Sequence, residues 1–489
     1  MHHLLNSLHK LGLVIMAFSL TLLFPLVISL FINDGAAKHF LHSFAGVFGT
    51  GLLLTALCTP FRGPLRLREG ILLVFLSWLC LAVVSSVPIY LATQLTQENF
   101  SFTKALFEGM SGLTTTGASV INEVEKLPDS VNIWRHSLLW FGGMGILLLA
   151  IAILPLFKVG GRELMMSEMP GPLKDERLTP RIASTAKSLY SIYFVMSVLC
   201  LISYRVAGLN WLDAWCQAAS TMALGGFSSF NSSFQSIDNV AVESVAVVFM
   251  LFAGINFATH FKALKSRSLR QYAYSPEAFT FLKLVLGSGV LISVYLYFNQ
   301  VYDTWFDAFR YGIFNTVSVA TTTGFASADY LGWPLVIPVF MLALGSFASS
   351  GGSTGGGIKL IRILLVFRQI RVEILRLLHP HGVFPVRFGR VVVSNTLLLS
   401  IMMFIAMYFM TIMVGFALFA LSGADPITSL SAAVALVGNI GPALGSVGPM
   451  SNYAHFNEFQ LWVSSALMLV GRLELFTAFV IFTPHFWRD

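Results

Sequence analysis

The word Thr114-Thr115-Thr116-Gly117-Ala118-Ser119 returns 207 residues later, from Gly117 to Gly324, as Thr321-Thr322-Thr323-Gly324-Phe325-Ala326-Ser327. A recurrent apolar helix says little, because many residue orders satisfy it; a recurrent Thr-Thr-Thr-Gly fixes one backbone path twice. Each copy lies between a short amphipathic segment and a long apolar one, as a loop dipping into a bilayer would. Each ends in a residue that accepts φ > 0 without strain. Two weaker copies emerge from the same context. Phe107-Glu108 before Gly117 corresponds to Phe314-Asn315 before Gly324, and Ser111 to Ser318. The same offsets fit Cys216-Gln217 and Ser220 before Ala223-Leu224-Gly225-Gly226-Phe227-Ser228, and loosely fit Ala432 and Ala435 before Gly438-Asn439-Ile440-Gly441-Pro442-Ala443. Gly117, Gly226, Gly324 and Gly441 are thus spaced by 109, 98 and 117 residues, an internal fourfold repeat.

With 56% hydrophobic and 11% charged residues in 489, the chain reads as an all-α integral membrane protein. Its net charge of +7 could suggest an anionic partner such as nucleic acid, but the charge is distributed otherwise. Basic residues gather at Arg62-Arg66-Arg68, from Lys158 to Lys187, from Lys262 to Arg270 and from Lys359 to Arg390. Glu123, Glu125, Asp129, Asp238, Asp329 and Glu458 fall between those clusters. That alternation is the positive-inside pattern of a multi-pass protein with both termini cytoplasmic, and it argues for membrane orientation over nucleic-acid binding. Cys58, Cys80, Cys200 and Cys216 show no metal-ligand spacing and read as packing residues; the eleven histidines show no paired spacing either.

The chain divides into five units. Residues 1–69 form a transmembrane hairpin, with spans at about 11–32 and 39–59. Pore repeats then occupy 70–182, 183–275, 276–389 and 390–489. Each repeat reads as an outer helix, a short helix, a glycine loop and an inner helix; the inner helices are expected at 131–157, 240–261, 333–370 and 459–482. Ten spanning and four half-spanning helices result. Asp213 and Asp425-Pro426 are plausible N-caps, so the short helices aim their C-terminal ends at the glycines.

Irregular backbone at membrane depth is tolerated only inside protein or along a wet path. Four such loops around one axis would line a path. Rings of backbone carbonyls replace a cation's hydration shell, and helix C-termini add partial negative charge, so the arrangement favours a cation. No Asp or Glu occupies the loops. Glu108, Gln217 and Asn315 share one repeat column, which Ala432 breaks; they are expected to hydrogen-bond behind the loops. In repeat three the inner segment is interrupted at 345–357 by a run rich in Gly and Ser. It lacks the Gly-Lys-Ser/Thr of a phosphate loop. Packing through small residues is the plain alternative to a flexible gate. Arg472 lies mid-span, where a charge needs a partner or a wet cavity: either an ion pair with Glu474 or a place beneath the loops.

These motifs, and the order in which they occur across nearly the whole chain, resemble the Trk/Ktr/HKT potassium transporter superfamily, most closely its bacterial TrkH branch. The resemblance implies potassium uptake across a bacterial inner membrane and no enzymatic activity. It assigns a potassium-binding filter to Thr115, Thr116, Gly117, Leu224, Gly225, Gly226, Thr322, Thr323, Gly324, Asn439, Ile440 and Gly441. It assigns a gate to Arg472 and to Gly345, Gly351, Gly352, Gly355, Gly356 and Gly357. It also implies a homodimer, no covalent cofactor, and a cytosolic TrkA-type regulatory subunit that alone binds a nucleotide, NAD or ATP. The Thr-Val-Gly-Tyr-Gly of tetrameric potassium channels is missing, which implies fewer ion sites and weaker discrimination against sodium. The rival reading is a proton- or sodium-coupled symporter with alternating access. Repeats with two full spans each run parallel, and so favour a pore over that rival.

Overall fold

The computed structural model describes residues 2–97, 99–152, 178–389 and 391–487. Most of the basic stretch from Lys158 to Lys187, and the end expected for the first inner helix, lie outside the described residues. Helix α1 (His2–Ser19) passes through a tight turn at Leu20–Leu22 into α2 (Leu23–Ile32), and α3 (Ala37–Cys58) returns antiparallel. A Cβ on Gly12 would lie 2.8 Å from the Gly51 carbonyl oxygen, so small residues let α1 and α3 approach closely. The hairpin is fastened to the first repeat. Asn6 donates to Glu69 at 2.8 Å, the Phe18 ring lies 5.9 Å from Trp134, and the Ser130 N–H donates to Asp34 at 2.9 Å.

Repeat one holds α4 (Leu67–Thr93), α5 (Phe102–Leu113) and α6 (Asp129–Ala152). Repeat two holds α7 (Leu178–Val206), α8 (Trp211–Ala223), α9 (Val240–Gly254) and α10 (Phe257–Ser266). Repeat three holds α11 (Pro276–Phe298), α12 (Trp305–Ala320), α13 (Val336–Gly345) and α14 (Leu360–Leu378). Repeat four holds α15 (Asn395–Leu421), α16 (Pro426–Val437), α17 (Glu458–Arg472) and α18 (Phe476–Phe479). The four short helices α5, α8, α12 and α16 start on side-chain caps from Ser101, Asn210, Thr304 and Asp425. Asp213 is therefore not the cap of α8. It sits three residues inside, where its N–H donates to Asn210 Oδ1 at 2.8 Å and its carboxylate accepts from Asn210 Nδ2 at 2.7 Å.

The inner helices of repeats two to four are not continuous, contrary to the spans expected at 240–261 and 459–482. The α9–α10 pair bends by 94°, and α17 turns by 110° into the segment Phe476–Phe482. The first break follows from Asn256, whose side chain caps α10 by accepting the Ala258 N–H at 2.8 Å. The second follows from Glu474 and Leu475, consecutive left-handed residues at φ 53° and 54°. In repeat three the glycine-rich run leaves residues 346–359 without regular helix. Among the described residues six helices are long and apolar enough to cross a membrane, or eight if each bent pair counts as one span, where ten were expected. Val391–Val392 pairs antiparallel with Arg387–Phe388, so the outer helix of the fourth repeat begins only at Asn395. Cys58, Cys200 and Cys216 are buried free thiols, and Cys80 is half-buried.

Candidate functional site

Each short helix ends in the same way. In α5 the Thr115 N–H donates to Gly112 O and the Thr116 N–H to Ser111 O. The pairs Leu224–Thr221 with Gly225–Ser220, Thr322–Val319 with Thr323–Ser318, and Asn439–Leu436 with Ile440–Ala435 repeat that pattern at the other three helices. This is a Schellman ending, which needs one left-handed residue just past the helix and usually takes glycine there. Here the residue is Thr115 (φ 53°), Leu224 (53°), Thr322 (63°) or Asn439 (51°). Two residues on, Gly117, Gly226, Gly324 and Gly441 are left-handed again, at φ 77°, 64°, 87° and 94°. Two β-branched residues and a leucine held at positive φ are true outliers, each costing about 1–3 kcal/mol, and such strain concentrates at functional sites.

The four loops close on one another. A Cβ on Gly117 would lie 1.8 Å from Gly225 O, one on Gly226 2.1 Å from Thr323 O, one on Gly324 2.4 Å from Ile440 O, and one on Gly441 2.5 Å from Thr116 O. Each glycine thus abuts the carbonyl preceding the glycine of the next loop, in the order one, two, three, four and back to one. No side chain fits at any of the four positions. All four glycines face one cavity of about 230 Å³, bordered also by Asn122, Asn231 and Asn452.

Behind the ring, side chains brace the segment leaving each loop. Glu108 accepts from Ser119 Oγ and the Val120 N–H, both at 2.6 Å; Gln217 donates to Ser228 Oγ at 3.0 Å; Asn315 accepts the Ser327 N–H at 3.2 Å. The column expected from the sequence is brought together as expected. Its apparent gap at Ala432 is filled from one position earlier, where Ser431 Oγ accepts the Leu444 N–H at 3.0 Å. A one-residue offset in the weakest repeat concealed it. Within the first and third loops the hydroxyls of Thr114 and Thr116 lie 2.8 Å apart and those of Thr321 and Thr323 2.7 Å, while Asn439 of the fourth loop donates across to Thr116 Oγ1 of the first at 2.9 Å.

On the other side of the ring lies the irregular segment 346–359. Gly356 N–H donates to Thr322 Oγ1 at 2.9 Å, Ser349 to Thr321 O at 3.3 Å, and Thr354 to Met222 O at 3.0 Å. A Cβ on Gly356 would lie 2.1 Å from Gly438 O. Three loops are therefore held from below by this one segment. Gly345 packs against Val319 O at the end of α12, just as Gly142 and Gly471 pack against Leu113 O and Val437 O. Gly355 and Gly357 lie within the same crossing, whereas Gly351 and Gly352 do not reach the ring. Gly351 N–H donates to Glu277 at 2.7 Å, and Gly352 O accepts from the Phe257 N–H at 3.1 Å.

Arg472 is 2% exposed and sits at the break after α17. Its guanidinium donates to Thr354 O at 3.1 Å and, more weakly, to Gly142 O at 3.5 Å. It forms no ion pair among the described residues. Glu474 pairs with Arg362 instead, and Lys359 donates to Gly355 O at 2.7 Å. Sequence reasoning missed Lys359 and Arg362, because both sit at the edge of a basic run that reads as a cytoplasmic flank.

The family described as TrkH, cation transport protein, matches residues 36–488. The chain is 39% identical over 478 residues to the Trk system potassium uptake protein TrkH of Halomonas elongata and 37% identical to that of Escherichia coli K12, covering 98% of each chain in both cases. The crystal structure of the potassium transporter TrkH from Vibrio parahaemolyticus superimposes with a TM-score of 0.90 at 35% identity, covering 99% of this chain and 100% of that one. These relatives are transport proteins rather than enzymes. The chain is a multi-pass membrane protein and belongs to the TrkH family of cation transport proteins.

Proposed function

We propose that this protein takes up potassium across a bacterial inner membrane through a single pore on the axis of its four loops. The observation that carries the reading is the closed ring, in which four loops of like backbone conformation each set a glycine against a carbonyl of the next and border one cavity with those glycines. Ring carbonyls substitute for a potassium ion's water shell. The C-terminal ends of α5, α8, α12 and α16 all lead into the ring and add their partial negative charge. The filter is then Thr115 to Gly117, Leu224 to Gly226, Thr322 to Gly324 and Asn439 to Gly441. Beneath it, segment 345–357 and Arg472 form the gate. The guanidinium repels a waiting cation while its hydrogen bond to Thr354 O holds the segment across the path. Opening separates the two. A cytosolic TrkA-type ring that binds the nucleotide docks on the basic face and drives that separation, both termini lie on the same side, and the chain pairs as a homodimer.

The filter is tested by Gly117→Ser and Gly324→Ser in the purified chain in liposomes, with potassium and sodium competing against a rubidium tracer. Because no side chain fits at either position, each should distort the ring and lower the preference for potassium over sodium by at least about tenfold, or about 1.4 kcal/mol. An unchanged preference would remove those loops from the filter.

A further inference from the structure

The brace behind the first loop differs from the other three in being charged. Gln217, Asn315 and Ser431 are neutral, whereas Glu108 carries a carboxylate at the same place. Glu108 is 0% exposed and lies directly behind the ring. One of its oxygens holds Ser119 and Val120, as the neutral braces hold their own loops. The other is held by Arg135 on α6, with Nε at 3.0 Å and a terminal nitrogen at 2.9 Å. Arg135 is 1% exposed, donates also to Asn132 Oδ1 at 3.2 Å and to Ser119 Oγ at 3.1 Å, and lies 4.3 Å over the ring of Phe227. Phe227 follows Gly226 directly, and Arg135 borders the cavity the glycines face. One planar cation thus touches the exits of the first and second loops and cancels the only brace charge.

We propose that Arg135 is a specificity-determining positioning residue: paired with Glu108, it makes the first brace electrically equal to the neutral other three and locks the first loop's exit to the second's. The proposal rests on the filter reading above. A ring of equal carbonyls discriminates between cations only while its four sides offer similar fields and a fixed radius. An uncompensated carboxylate a few atoms behind one loop adds a charge that attracts any monovalent cation, and it lets Ser119 and Phe227 shift. A guanidinium left without its carboxylate acts oppositely, opposing cation entry. A lysine would keep the charge but lose the planar two-nitrogen grip and the stacking on Phe227.

The test compares Arg135→Gln, Arg135→Lys and the double variant Glu108→Gln with Arg135→Gln against wild type, in liposomes, by the ratio of sodium to potassium needed to halve rubidium uptake. Thermal melting in detergent reports folding. Arg135→Gln is expected to lower that ratio at least about fivefold, the low end of what coupling between separate groups achieves. The double variant, which leaves an amide like that of Gln217, is expected to recover most of the loss although it removes more of the network. If Arg135→Gln does not fold, Arg135→Lys is read by the same criterion. A folded single variant with an unchanged ratio would overturn the proposal, as would a double variant no more selective than the single one; a merely structural role gives falling melting temperature and total uptake at constant ratio. Gly324→Ser is the control. If it shifts the ratio while the Arg135 variants do not, this proposal alone falls; if neither shifts it, the filter reading falls too.

Discussion

Leu224 holds a left-handed conformation that glycine would adopt freely, which makes it a test of which local force dominates at the ring. Relieving the backbone with Leu224→Gly would return about 1–3 kcal/mol. The side chain is fully buried, however, in the core that also holds Tyr193 and Met222, and removing a buried leucine costs about 2–5 kcal/mol with further loss from the missing Cβ. Packing should win, so Leu224→Gly is expected to melt lower than wild type in detergent; a higher melting temperature would mean that strain governs this loop. Arg472 makes a second residue-scale case. Arg472→Ala removes the guanidinium donated to Thr354 O, so basal rubidium flux should rise. Unchanged or lower flux would count against its part in the gate. Both residues were singled out by sequence. What the sequence could not give was the choice between Glu474 and the loop as the partner of Arg472, because a carboxylate two residues away is a ready partner, whereas Glu474 is held by Arg362, 112 residues upstream.

Among the elements, the short helices were the most legible. Their starts are set by capping residues and their ends by the repeated loop, so Phe102–Leu113 and Trp305–Ala320 each stop directly before their Thr-Thr-Thr-Gly. The inner helices were the least legible. Apolar composition runs on through 240–261 and 459–482, and nothing in hydropathy marks a bend made by one capping Asn256 or by two left-handed residues. The hairpin at the N-terminus supplies the element-scale prediction. Burial works to raise the Asp34 carboxyl, but hydrogen bonds from Ser130, Ser29 and Ala36 outweigh it and hold the group below the usual carboxylate range. A depressed carboxyl contributes stability that is present above its unfolded pKa and lost as pH falls through the folded one. Asp34→Asn should therefore lower stability near neutrality by about 1 kcal/mol, a value trimmed for the partial exposure of the group. The difference from wild type should shrink once the pH drops below about 4. Melting curves in detergent at neutral and acid pH check this, and a deficit that persists undiminished in acid would place the effect in packing rather than charge.

At the scale of the whole molecule, the four glycines singled out by their spacing meet in one ring, whose contacts are spread over 324 residues, from Gly117 to Gly441. No local pattern announces that Gly441 meets Thr116 O; only the recurrence of the glycine loops along the whole chain hints at it. The asymmetry laid over that symmetry was not readable, since it consists of single contacts: Arg135 on Glu108, Arg472 on Thr354, and Arg362 on Glu474. The central claim is that the ring encloses a pore, in which an ion moves down its own electrochemical gradient. The most direct test is radioactive rubidium uptake into liposomes containing the purified chain, with an outward potassium gradient, no proton or sodium gradient, and a proton carrier present. A pore predicts saturating accumulation set by the electrical gradient alone. Uptake that appears only when a proton or sodium gradient is imposed would contradict it and assign the same ring to a coupled transporter.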